Sequence, residues 1–205
     1  MNGEMRLGAM GTDLMIGTDR HDKLFCRAGN DRLDGFTGDD VLIGGGGGDD
    51  SLIGGAGANR LLGRAGRDRL AGDAGNDTLM EDMDNDALDG GAGSDTVRGG
   101  DWLSCGGGGD TLDGGTGNDI LSGGAGADTF VFATGADRIT DFDSRLDRLA
   151  LDSDLWTGHL IPADVVFLHA TMVGGDTVLD FGGGNTLTLA HLTDWTALAA
   201  QIDYF

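Results

Sequence analysis

The sequence predicts an all-β protein built from many short strands joined by tight glycine turns. Glycine supplies 41 of the 205 residues and proline only one. A nine-residue unit recurs from Gly8 to Thr140, and its eighth place is always apolar. Cut into nines, the chain gives GAMGTDLMI, GTDRHDKLF, CRAGNDRLD and GFTGDDVLI. After one extra residue, Gly44, come GGGGDDSLI, GGAGANRLL, GRAGRDRLA, GDAGNDTLM, EDMDNDALD and GGAGSDTVR. Residues 99–104, GGDWLS, break the frame, which returns as CGGGGDTLD, GGTGNDILS, GGAGADTFV and FATGADRIT. A fixed period of this kind marks a repeat architecture rather than a flexible linker.

Each place in the unit has a physical task. Glycines at places 1, 2 and 4 permit a turn whose backbone a side chain would forbid. Place 4 is glycine in twelve of fourteen units, Arg20 and Asp84 being the exceptions. Places 7 to 9 are too short for a helix but suit a three-residue strand with its central side chain turned inward. Place 6 is aspartate in thirteen units and Asn59 in the other. It sets a carboxylate at the end of a turn where backbone carbonyls also converge. Numerous, flexible, oxygen-only ligands describe a calcium site better than magnesium or zinc. The two cysteines and four histidines show no zinc spacing.

The charge agrees with a cation partner. Thirty-five acidic residues face thirteen basic ones, a formal charge of -22. Such a surface repels nucleic acid and anionic membranes. No apolar run approaches the roughly 18 to 20 residues of a membrane span. The start, MNGEMRLGAMGTD, lacks the basic-then-apolar pattern of a cleaved signal peptide.

These units resemble the nonapeptide G-G-x-G-x-D-x-U-x of the repeats-in-toxin (RTX, hemolysin-type) calcium-binding family. The resemblance covers residues 8–140 and implies a parallel β-roll, two units per coil, with calcium between successive turns on each edge. Residues 1–7 form a lead-in, and residues 141–205 a β-rich C-terminal cap with a short terminal helix. Carried over, the family's ligands are the place-6 carboxylates together with turn carbonyls. They fall into two expected rows. One holds Asp13, Asp31, Asp50, Asp68, Asp86, Asp110 and Asp128. The other holds Asp22, Asp40, Asn59, Asp77, Asp95, Asp119 and Asp137. The rows contain twelve gaps. Asn59, the glycine-poor unit EDMDNDALD and the GGDWLS interruption weaken five, leaving about seven strong calcium sites of up to twelve. The run DMDND, Asp82 to Asp86, mimics an EF-hand start, but Ala87 and Gly93 stand where that loop needs Gly and Glu.

Metal is expected to drive folding. The backbone entropy of ordering nine residues exceeds what one buried leucine returns, and stacked carboxylates repel one another without cations. Extracellular calcium modules bind at about 10⁻⁴ to 10⁻³ M, which points outside the cell. Beyond Thr140 the texture changes. DFDSRLDRLALDSDLW suggests one or two closing strands. DTVLDF and NTLTLA, separated by Gly182–Gly184, suggest a hairpin, and ADVVFLHATMV fits helix or strand. Thr193 or Asp194 can cap a last helix with Trp195, Leu198, Ala199 and Ile202 at helical spacing. The ending Asp203-Tyr204-Phe205 is similar to the family's uncleaved signal for the type I secretion machinery.

No H-E-x-x-H or G-x-S-x-G motif is present, and the expectation is a non-enzymatic, secreted calcium-binding protein. The alternative is the calcium and secretion module of a larger exported hydrolase or adhesin; Met1 beside the roll favours the first. Cys26 and Cys105 both hold place 1. They are expected on one edge, four coils or about 19 Å apart, too far for a disulfide.

Overall fold

A computed structural model describes residues 3–81, 84–155, 162–193 and 198–205, apart from the side chains of Pro162 and Phe167. The strands run β1 (Met5–Leu7), β2 (Leu14–Ile16), β3 (Lys23–Phe25), β4 (Arg32–Asp34), β5 (Val41–Gly46), β6 (Ser51–Ala56) and β7 (Arg60–Ala65). Then come β8 (Arg69–Ala74), β9 (Thr78–Met80), β10 (Ala87–Asp89), β11 (Thr96–Arg98), β12 (Trp102–Ser104), β13 (Thr111–Asp113) and β14 (Ile120–Ser122). The last are β15 (Thr129–Phe132), β16 (Ala136–Ile139), β17 (Arg148–Leu151), β18 (Ala170–Val173), β19 (Asp176–Gly182), β20 (Asn185–Leu189) and β21 (Ile202–Tyr204). Among the described residues one α-helix, α1, spans Pro162–His169, and Ser153–Leu155 form a 3₁₀ turn.

Successive strands alternate between two sheets, so the chain winds as a parallel β-roll. The first sheet orders β1-β3-β5-β7-β9-β11-β13-β15-β17-β21, and the second β18-β19-β20-β16-β14-β12-β10-β8-β6-β4-β2. Every place-8 residue is buried, from Met15 and Leu24 to Phe130 and Ile139. They stack in two files. In the first sheet Leu24, Leu42, Leu61, Leu79, Val97, Leu112, Phe130 and Leu149 lie register to register. In the second, Met15, Leu33, Leu52, Leu70, Leu88, Leu103 and Leu121 do the same. The core is therefore one apolar residue deep on each face.

The interruption is a correction to the sequence reading. Residues 99–104 are not an insertion but a repeat with a shortened turn. They supply β12, whose Leu103 pairs with Leu88 on one side and Leu121 on the other. Asp101, Trp102, Leu103 and Ser104 keep places 6 to 9. From there onward every unit lies on the sheet opposite to the one expected.

Beyond Thr140 the described residues add strands to the end of both sheets. The apolar run at 162–173 divides into α1 and then β18, a division the sequence pattern leaves open. Strands β19 and β20 pair antiparallel as expected, through Gly182–Gly184 at positive φ. Phe132 packs on Phe181, with ring centroids 5.7 Å apart. The expected terminal helix is met in part. Asp194 and Trp195 lie outside the described residues. Leu198–Gln201 form one 3₁₀ turn, and Ile202, expected on its apolar face, instead opens β21. That strand pairs parallel with β17 through Leu149↔Ile202 and Leu151↔Tyr204. The expected lead-in also contributes a strand, as β1 pairs with β3.

Candidate metal sites along the two edges

Because strands alternate between sheets, each place-6 aspartate is delivered to one of two edges. The first edge carries the turns that run from the first sheet to the second: Asp13, Asp31, Asp50, Asp68, Asp86, Asp101, Asp119 and Asp137. The second carries Asp22, Asp40, Asn59, Asp77, Asp95, Asp110, Asp128 and Asp147. The expected rows thus exchange members after Asp86 and Asp95, since the short repeat adds half a coil. Asp101 and Asp147 were missed. Asp147 is buried and precedes Arg148-Leu149 as the earlier acids precede their strands. Its glycines are gone, which hid it.

The two carboxylate oxygens have different surroundings. On the second edge Oδ1 of each member accepts the main-chain amide of the one before. The rungs are Asp22→Asp40 at 2.7 Å, Asp40→Asn59 at 3.0 Å, Asn59→Asp77 at 2.7 Å and Asp77→Asp95 at 2.8 Å. Asp95→Asp110 at 2.7 Å, Asp110→Asp128 at 2.9 Å and Asp128→Asp147 at 3.0 Å complete it. The first edge has the same ladder from Asp13 through Asp31, Asp50 and Asp68 to Asp86. It resumes at Asp119→Asp137. Asp101, beside the shortened turn, is only partly buried.

Oδ2 is the atom that points to a ligand. At Asp31, Asp40, Asp50, Asp68, Asp77, Asp86, Asp95, Asp110 and Asp119 it is buried and meets no hydrogen-bond donor of the protein. A buried carboxylate oxygen left in that condition is costly unless a cation answers it. The place-1 glycine keeps the space beside it open. A methyl group on Gly35 would lie 2.5 Å from Asp40 Oδ2 and 2.6 Å from the carbonyl oxygen of Gly54 in the next coil. On Gly72 it would lie 2.5 Å from both Asp77 Oδ2 and the Gly90 carbonyl. Carboxylate and carbonyl oxygens therefore converge between coils, the donor set of a hard cation such as calcium.

The electrostatics agree. Burial pushes Asp40, Asp50, Asp77, Asp86, Asp110 and Asp119 up to about 6, and Asp137 to about 7. Neighbouring carboxylates raise them further. Asp22, at the open end of its row, differs. Burial raises it, but amide donors from Glu4 and Thr18 and the Thr18 hydroxyl outweigh that and leave it lowered.

A side chain at place 1 projects into the gap between coils. Ligand atoms of Asp13, Cys26 and Asp31 all lie within 4.8 Å of one another, as do those of Asp68, Glu81 and Asp86. Cys26 is pushed up to about 12 by burial and then by Asp31, so it stands there as a neutral thiol. A thiol is a poor partner for calcium, so Cys26, standing where most units have glycine, lowers the quality of the Asp13–Asp31 gap. Cys105 follows β12 and so lies on the second edge, beside Asp95 and Asp110. Cys26 lies on the first. Both are buried and free. Their expected placement on one edge is thus corrected, again by the half coil of the short repeat.

A wound parallel roll carrying rows of carboxylates between its turns defines a repeat module built for cations. The model of the RTX calcium-binding nonapeptide repeat matches four times, at residues 16–49, 44–79, 83–101 and 106–139. Together these segments cover more than half of the chain, and it belongs to that family. No curated protein sequence matches the chain. Among solved structures, the extracellular lipase LipA from Serratia marcescens is similar, with 21% identity and a TM-score of 0.39. The match covers 97% of this chain, which spans 39% of that lipase. No helix among the described residues is long and apolar enough to cross a membrane.

Proposed function

We propose that this chain is a secreted calcium-binding protein, non-enzymatic, whose roll folds after export as calcium fills the gaps between its coils. The observation that carries the reading is the file of buried Oδ2 atoms without donors, from Asp31 to Asp119. The thirteen place-6 aspartates named from the sequence would be its ligands, joined by Asp101, Asp147 and the turn carbonyls. When bound, calcium supplies positive charge between carboxylates that otherwise repel. The chain supplies the oxygens, and its Oδ1 rungs fix their spacing along the second edge and along the first from Asp13 to Asp86. In calcium-poor cytosol the acidic chain stays expanded, the state that the type I secretion machinery passes; outside, metal binding becomes folding energy.

A second reading, the calcium and secretion module of a larger exported hydrolase or adhesin, is favoured by the first coil. Met5, Leu7, Met10 and Leu14 are largely exposed there, an apolar end on which further structure can stack.

The test is calcium titration of the purified chain, followed together by calorimetry and circular dichroism. β-structure should appear cooperatively in the range about 10⁻⁴ to 10⁻³ M. Magnesium, which holds its water and demands a tighter octahedron, should not substitute. A β-rich spectrum indifferent to excess chelator would sink the proposal.

A further inference from the structure

The unit EDMDNDALD has lost its glycines, and on sequence the gaps beside it look weak. The structure gives Glu81 another role. It holds place 1 and reaches back one coil, where Oε2 accepts the Arg64 amide at 2.8 Å. Oε1 converges with Asp68 Oδ2 on the open face of Gly63. Glu81 is only 9% exposed, Asp68 1% and Asp86 2%. Oε1 of Glu81 and Oδ2 of both aspartates are buried without a donor. Among the described residues, this is the one group of three clustered ligand side chains made wholly of carboxylates.

We propose that the Asp68–Glu81–Asp86 gap is the tightest hard-cation site of the roll, taking calcium ahead of every two-aspartate gap. The inference rests on the calcium reading above and adds a rank to it. Three formal negative charges meet the ion where other gaps offer two, and affinity in oxygen-ligand sites rises with charge count and rigidity. The Arg64 amide supplies rigidity by holding one oxygen of Glu81 in place. The unit that departs furthest from the repeat thus becomes the anchor from which neighbouring coils order. A trivalent lanthanide, similar in chemistry but higher in charge, should prefer this gap more strongly still.

The experiment uses the whole chain in chelator-buffered calcium, with terbium as a second probe. Wild type should fill one site at a calcium concentration at least about tenfold below the rest. Glu81→Gln keeps the shape and removes one charge, so the early step should merge with the others. Asp154→Asn, which removes one charge at an exposed place, should leave that step intact. If Glu81→Gln does not regain wild-type circular dichroism at saturating calcium, Glu81→Gly, which restores the repeat's own residue, carries the test. An early step that survives loss of Glu81 would overturn the proposal. So would a wild type whose sites all fill together. Failure to bind calcium at any concentration would instead overturn the calcium reading itself.

Discussion

The main-chain amide of Asp95 donates to Oδ1 of Asp110 at 2.7 Å, across fifteen residues of sequence. Every other rung on that edge spans eighteen or nineteen. This one contact fixes which acids face one another across a gap between coils in the second half of the roll. Counting nines across residues 99–104 would pair Asp95 with Asp119, yet Asp119 lies on the opposite edge with Asp137.

The pairing is measurable as an energy. Asp95→Ala keeps the main-chain donor of the rung, but the two carboxylates face one gap, so a double-mutant cycle of Asp95→Ala and Asp110→Ala in saturating calcium should show coupling above about 0.5 kcal/mol. Asp95→Ala with Asp119→Ala should be additive within about 0.5 kcal/mol. Denaturant unfolding reads both cycles. Coupling in the second pair and none in the first would restore the uninterrupted count.

Asn59 puts a donor where its neighbours put an acceptor. Its Oδ1 keeps the rung from Asp40, but Nδ2 turns toward the carbonyls of Gly57 and Gly55 at 3.3 and 3.5 Å. An amide there repels a cation and occupies the carbonyls. Asn59→Asp should therefore raise calcium stoichiometry or affinity at the two flanking gaps, measured by calorimetry. Without calcium the same change should destabilise the roll, since it adds a buried charge to the file.

The raised carboxylates give the metal-free chain a pH dependence of definite sign. Asp40, Asp50, Asp77, Asp86, Asp110 and Asp119 move from 3.8 to about 6 in the folded roll. Asp137 moves to about 7. Between those values the folded state holds more protons than the unfolded one, so stability falls as pH rises through that window. In chelator, β-structure should grow as pH is lowered from about 7 to about 5, above the isoelectric point near 4.1 where precipitation intervenes. Calcium affinity should move the opposite way, because protons and metal compete for the same oxygens. A metal-free chain that loses structure on mild acidification would contradict this account.

Much of this architecture is legible in the sequence, because each unit assigns one residue to each task. Leu42 at place 8 can only be core and Asp40 at place 6 can only be edge. The parity of the later coils is hidden, since it depends on whether GGDWLS counts as an insertion or a shortened repeat. The Asp101-x-Leu103 spacing held that signal. The role of Glu81 is hidden for another reason: its partners Asp68 and Asp86 lie thirteen residues before and five after, and only the winding brings all three together. At the end of the chain, Leu198 and Ile202 suit helical spacing. The bare edge of β17 nevertheless recruits Ile202 into a strand, a long-range demand that local periodicity does not register.

That last strand supports a prediction with two readouts. Ile202 is buried and covers the end of the leucine file over Leu149. Its neighbour Asp203 lies 3.4 Å from the Arg148 guanidinium, an exposed pair that adds little. Deleting residues 202–205 removes one buried aliphatic side chain, about 1.5 to 3 kcal/mol, and the ladder bonds of β21, about 1 kcal/mol net apiece. It also bares the hydrogen-bonding edge of β17. Calcium-saturated stability should fall by roughly 3 to 5 kcal/mol, while the remote Asp31–Asp50 gap continues to bind. Removal from Asp194 onward should in addition abolish export from a host carrying type I machinery, because the tail would be both cap and signal. Replacing only Ile202 with Ala separates the two roles: stability should drop by about 2 to 5 kcal/mol with export retained. Export lost in step with stability across both variants would mean that the end of the chain acts only as a cap.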